Sequence, residues 1–113
     1  MRQINKLNSD ARQEAFLTGN AGQRIRMTLR YMPTIREWIF GCTLGDFTIE
    51  GIPVLCSENM LRGYKNIIDF GIACWTRDGL DPRDITDFET EYAVMYLLNR
   101  DDVDLVEERL YIV

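Results

Sequence analysis

The sequence predicts an α+β fold that is mainly β: an antiparallel curved sheet or small open β-barrel with one or two short helices. Three observations lead there. Ile25, Met27, Leu29 and Tyr31 alternate with polar residues across Arg24–Tyr31, the period-two mark of a half-buried strand. Trp38, Phe40, Cys42 and Leu44 share one parity in the same way. Turn-forming residues at Gly19-Asn20-Ala21-Gly22, Met32-Pro33-Thr34 and Gly45-Asp46 separate these runs at short intervals.

Taken in order, Glu14–Thr18 and Arg24–Tyr31 form a hairpin, because the glycines between them tolerate positive φ. Pro33 presets a turn, and Arg36 stays outside the core before the strand that carries Trp38. Phe47–Leu55 continues as a strand that Gly51 and Pro53 bend or place at an edge. The first half therefore reads as a meander of about four strands, a usual sheet size.

Ser57–Gly63 changes character. Ser57 caps a turn, Glu58 suits the positive end of its dipole, and Gly63 ends one or two helical turns. Ile67–Trp75 resumes a strand, with Gly71 at its middle marking a bulge or a close backbone approach. Asp81-Pro82-Arg83-Asp84 reads as a helix entry, and Glu91–Leu98 as a strand covered on both faces. Beyond it, Val103, Val106 and Leu110 fit a short helix, while Arg109–Val113 equally fits a sheet extension.

Bulk composition narrows the function classes. At 113 residues with 46% apolar and 27% charged side chains, the expectation is one domain, residues 1–113, burying roughly two-thirds of its unfolded surface. No run approaches the ~18 apolar residues of a membrane helix, and the first six residues lack the apolar part of a secretion signal. Synthesis in a cytoplasm and no membrane partner are expected. A net charge of −5 repels phosphate backbones, so nucleic acid is not expected as the main partner.

Residue types for chemistry are few. There is no histidine, and Cys42, Cys56 and Cys74 are odd in number and far apart, which suits buried thiols better than a disulfide framework or a zinc site. Asp78, Asp81, Asp84 and Asp87 recur every three residues, but they lack the alternating ligands and closing glutamate of a calcium loop. Aspartates before Gly79 and Pro82 have turn and cap duties instead. No phosphate-cradling glycine motif occurs, and Cys56 and Ser57 have no histidine as base. No catalytic residue, metal ligand or cofactor is expected, and the chain is read as a non-enzyme.

Two sets of residues point to contacts. Arg24, Arg26 and Arg30 fall on one strand face with Tyr31 nearby, a candidate groove for nucleic acid or a ligand on a small barrel. The same arginines equally serve a protein interface, or cross-strand pairing with Glu14, Glu37 or Glu50. Arg62 and Tyr64 are interface candidates because both residue types concentrate binding energy. Alternatively Met60, Leu61 and Tyr64 dock the turn on its own sheet.

The order of elements carries a resemblance. Leu29-x-Tyr31, Trp38, Gly45-Asp46, Gly51-Ile52-Pro53-Val54, Asn59-Met60-Leu61-Arg62-x-Tyr64 and Gly71-Ile72-Ala73 occur in the succession seen in the small baseplate plug family of contractile-tailed bacteriophages, known from a cyanophage baseplate. The chain resembles that family from about Glu14 to Leu98, least in the Gly71 region and over Thr76–Thr90. The resemblance implies a compact β-rich structural subunit of the virion tail baseplate near the hub and tube. It also implies partners among other baseplate, hub and tail-tube proteins, in a symmetric multi-copy assembly put together in the host cytoplasm.

Overall fold

The computed structural model describes residues 1–4, 7–19, 22–64 and 67–112. Strand accounts for 46% of the chain and helix for 12%, so the fold is mainly β, in two antiparallel sheets with no closed barrel among the described residues. The larger sheet is the expected meander: β2 (Arg12–Thr18), β3 (Arg24–Met32), β4 (Glu37–Leu44) and β5 (Phe47–Pro53), in that spatial order. The smaller sheet sets β7 (Ala93–Leu98) between β1 (Arg2–Gln3) and β6 (Gly71–Thr76).

Alternation decides which side chains go inward. On β3, Ile25, Met27 and Leu29 are buried while Arg24, Arg26 and Arg30 are exposed. They face the buried Trp38, Phe40 and Cys42 of β4 in the register Leu29↔Phe40 and Met27↔Cys42. Trp38 is fully buried, packed on Tyr31 and Phe88 with ring centroids 5.2 Å away in each case. Its indole N–H donates to the Asp84 carbonyl at 3.1 Å, so the one polar atom of the ring is satisfied. The apolar cluster continues into the second sheet through Ile72, Cys74 and Met95. Each such side chain contributes about 1.5–3 kcal/mol on burial.

Main-chain bonds join the two sheets on the side where the chain passes from β5 to β6. Ser57 and Cys74 exchange main-chain bonds at 2.9 Å and Met60 N–H reaches the Ile72 carbonyl at 2.8 Å, while Val54 N–H, donating to the Trp38 carbonyl at 2.9 Å, prolongs the β4–β5 pairing. On the opposite side β1 and β2 leave an open seam. As expected, Gly51 (φ 73) and Pro53 fall in an edge strand, β5, and a register shift between Phe40 and Cys42 bends the β4–β5 pair.

Several expectations change. The Asp81–Asp84 segment starts no helix: residues 85–91 form successive turns. Asp81 is drawn away to accept the Cys56 N–H at 2.8 Å, and the Asp87 carboxylate accepts the N–H groups of Arg83 and Asp84 at 2.8 and 2.9 Å. Gly63 lies inside a single 3-10 turn, Arg62–Tyr64, and does not end it. The strand expected over Ile67–Trp75 begins only at Gly71, because Ile67 and Ile68 N–H groups still bond the Tyr64 carbonyl at 2.9 and 3.0 Å. The tail takes the helical alternative, α1 (Arg100–Ile112), and lays Val103 and Val106 against Ala73 and Leu98. Asn20 and Ala21 of the expected hairpin turn lie outside the described residues, as does Val113; nothing is described of the Leu110 side chain.

Candidate interaction surfaces

Strand pairing brings Arg24, Arg26 and Arg30 onto the outer face of the larger sheet, beside Arg12, Glu14 and Phe16 of β2. Two of the three are engaged within the chain. The Arg24 guanidinium lies 4.4 Å from the centroid of the exposed Phe16 ring, and Arg26 forms an ion pair with Glu14. Arg30 stands directly across from Arg12, a like-charge juxtaposition that costs stability unless an anion joins it. Tyr31 turns to the other face, where its hydroxyl donates to the Arg83 carbonyl at 2.7 Å.

Arg12, Arg26 and Arg30 line an open groove of about 830 Å³ together with Glu14 and Glu50, while Arg24 lies outside it. Its floor is Gly41, where an added Cβ would lie 2.8 Å from the Ile49 carbonyl oxygen. Three arginines against two glutamates make the groove slightly positive on an acidic molecule. That mixed character fits a protein contact better than a phosphate backbone, which favours unbroken positive charge.

Arg62 and Tyr64 are placed by the turn that follows Asn59. Leu61 is fully buried, while Met60 and Tyr64 are half-buried against the core, so the turn docks on its own sheet. Tyr64 meets Phe47 edge-to-face with centroids 6.3 Å apart, and the exposed Arg62 pairs with Glu107 of α1 at 3.0 Å. The turn hangs from Asn59, a buried polar residue that the sequence marks only as the start of a resemblance motif, with no structural role. Its side-chain oxygen accepts Leu61 N–H at 3.0 Å and Ile72 N–H at 3.2 Å. Ser57 contributes a weaker cap, its hydroxyl accepting Asn59 N–H at 3.3 Å.

A surface without a sequence signal of its own lies on the outer face of the smaller sheet. Among the described residues, Val103 and Val106 of α1 pack at the Ala73 and Leu98 end, with Tyr96 beside them. At the other end Trp75 is 47% exposed, stacked on Tyr96 with centroids 5.1 Å apart and paired in register with Val94. The run Glu91–Leu98 reads as covered on both faces, and this uncovered half is where the structure departs from that expectation.

The aspartates remain apart, each with a local partner: Asp78 with Tyr92 and Leu80, Asp81 with Cys56, Asp84 with Arg36, Asp87 with its own turn. The Tyr92 hydroxyl holds the Asp78 carboxyl below its ordinary value, and the same bond raises Tyr92. Cys42 and Cys74 are buried and Cys56 half-buried; burial pushes the first two thiols up to about 12. Among the described residues no three acidic or thiol groups gather as a metal site. No helix is long and apolar enough to cross a membrane among them.

A family model described as the cyanophage baseplate Pam3 plug gp18 matches residues 1–100. No curated protein matches the sequence. The match covers most of the 113 residues and extends the resemblance read from Glu14 to Leu98 back to the first residue. With its first hundred residues matched, the chain belongs to the family of the cyanophage baseplate plug Pam3 gp18.

Proposed function

We propose that this chain is a structural subunit of a phage tail baseplate, a plug at the central hub and tail tube that works through protein contacts. The family match over residues 1–100 carries the reading. The exposed Trp75–Tyr96 pair and the arginine-rimmed groove support it, because aromatic and arginine side chains concentrate energy at interfaces. Arg24, Arg26 and Arg30 face neighbouring baseplate, hub or tube proteins, and Arg62 and Tyr64 add a second contact with the parts of their side chains left outside the core. Several copies assemble around the tail axis in the host cytoplasm, and the work is mechanical, not catalytic.

Mass spectrometry and electron cryo-microscopy of purified virions test this. The chain is expected at the distal end of the tail, on its axis; its absence from virions would sink the reading. A Tyr64→Ala variant is expected to leave a folded monomer, less stable by the lost Phe47 contact, and to fail in tail assembly, whereas an unfolded monomer would remove Tyr64 from the interface. Retention of the isolated chain on a nucleic-acid column, lost steeply with salt, would instead make the arginine face a nucleic-acid groove.

A further inference from the structure

Main-chain groups of an antiparallel strand point alternately to its two sides. On β2 the phase is set by Tyr31 N–H donating to the Ala11 carbonyl at 2.8 Å and Gly19 N–H donating to Gln23 at 2.7 Å. In the register Arg12↔Arg30 through Thr18↔Arg24, Gln13, Ala15 and Leu17 therefore turn their main-chain groups to β3. Those of Glu14, Phe16 and Thr18 turn the other way, into the seam. Across it, Ile4 N–H donates to the Met95 carbonyl at 2.8 Å, which points the main chain of Gln3 into the same seam. The Arg2 guanidinium donates to the Thr18 carbonyl and so reaches from one edge to the other. The main-chain groups of Gln3, Glu14 and Phe16 have no partner among the described residues.

An open groove of about 520 Å³ separates the two edges, lined by Arg2 and Gln3 of β1, Ile4 just after it, Glu14–Thr18 of β2, and Leu97. The edges of the larger sheet are treated differently. β5 is blunted by Gly51 and Pro53, whereas the seven residues of β2 contain neither glycine nor proline and expose Phe16 at 56%. An unguarded edge of that length is a pairing hazard unless something covers it.

We propose that the seam is a strand-acceptor site, in which an extended segment of a neighbouring tail protein enters between β1 and β2 and completes both ladders. That the neighbour is a tail protein rests on the function proposed above. The occupant has to offer both of its edges, since a free edge faces it on each side. β1 to β7 are each already paired on at least one side, so a second copy has no such strand among the described residues. Its side chains have to alternate: apolar where they meet Ile4, Leu17 and Leu97, polar or aromatic beside Glu14 and Phe16.

Glu14→Pro tests the idea, because it deletes a seam-facing N–H and leaves the bonds to β3 in place, while Glu14→Val keeps the N–H. Both are expressed in cells infected by phage lacking the chain, and tails are purified. Wild type and Glu14→Val are expected in tails, with Glu14→Pro depleted about tenfold or more, the value of one strong ladder bond. Hydrogen exchange at Glu14 and Phe16, fast in the free chain, is expected to slow about a hundredfold or more in tails. Normal incorporation of Glu14→Pro, or exchange that stays fast in tails, overturns the seam and leaves the baseplate reading standing. If Glu14→Pro does not fold, the exchange comparison on wild type decides alone. Wild type missing from tails overturns the baseplate reading and the tail-protein occupant with it. A free chain that dimerises, with Glu14→Pro breaking the dimer, replaces that occupant by a second copy and overturns the proposal.

Discussion

Asn59 fills the space that a side chain at position 71 would need: a Cβ on Gly71 would lie 2.6 Å from the Asn59 side-chain oxygen. That oxygen joins the turn to the smaller sheet through Leu61 and Ile72. Gly71→Ala is expected to push the amide away and destabilise the fold by about 1–3 kcal/mol. Asn59→Ala leaves two N–H groups without their acceptor, at about 1–3 kcal/mol for each one that stays buried. Urea unfolding of both single variants and the double variant checks this. The double variant is expected to cost less than the two singles together, because both disrupt the same contact.

Glu91 holds φ 60 without being glycine. The left-handed conformation costs a side-chain-bearing residue about 1–2 kcal/mol, and glycine's extra unfolded-state freedom returns about 0.5–1. Glu91→Gly is expected to raise stability by up to about 1 kcal/mol on that difference. A urea midpoint that moves up at unchanged slope is the expected result; a midpoint that falls shows that Glu91 makes a contact worth more than its strain.

Burial pushes the Cys42 thiol from its ordinary 9.0 to about 12, and burial, then Cys56 and Asp81, does the same to Cys74. Folded values above unfolded ones mean that this contribution to stability is full below pH 9.0 and is lost as pH rises toward about 12. The unfolding midpoint is expected to fall through that window, and less steeply in a Cys42→Ala variant. Iodoacetamide applied to the native chain at mildly alkaline pH is expected to modify Cys56 and to spare the other two thiols until denaturant is added.

Two tryptophans report on two environments. Trp38 is fully buried and Trp75 is 47% exposed, so acrylamide is expected to quench only the emission of Trp75. Trp75→Ser is expected to remove the quenchable component and change stability by less than about 1 kcal/mol, apart from the Tyr96 stacking it loses. If the outer face of the smaller sheet meets a neighbour in the baseplate, Trp75 becomes protected in purified tails; persistent quenching there would rule that face out.

Asp78 and Tyr92 provide a pH check away from the core. Their hydrogen bond lowers the carboxyl and raises the phenol. A depressed carboxyl supports the fold above the unfolded value and loses that support as pH falls through the folded one. Tyr92→Phe is expected to return Asp78 toward its ordinary value in a carbon-detected NMR titration, and an unmoved value would show that the main-chain N–H groups and Arg83 hold it without the phenol.

The four-stranded meander was legible because its signals are local. The alternation around Leu29 and Phe40, and the turns at Pro33 and Gly45, depend on neighbours within a few residues, and such patterns constrain a strand whatever surrounds it. The order of those pieces was enough to show the family resemblance. The arginine face was legible too, since parity alone puts Arg24, Arg26 and Arg30 together.

Tertiary structure decided the rest, because the causes are distant in sequence. Arg2–Gln3 has no periodicity and is a strand only because β7 offers it an edge. Asp81 forsakes its expected helix for the Cys56 amide, and Asn59 is required only where Gly71 arrives beside it. By itself the sequence determined which side chains seek the interior and where the chain turns. Which strand edges were joined and which stayed open came from closing two sheets over one core, where long-range packing outweighs the preferences of short polar segments.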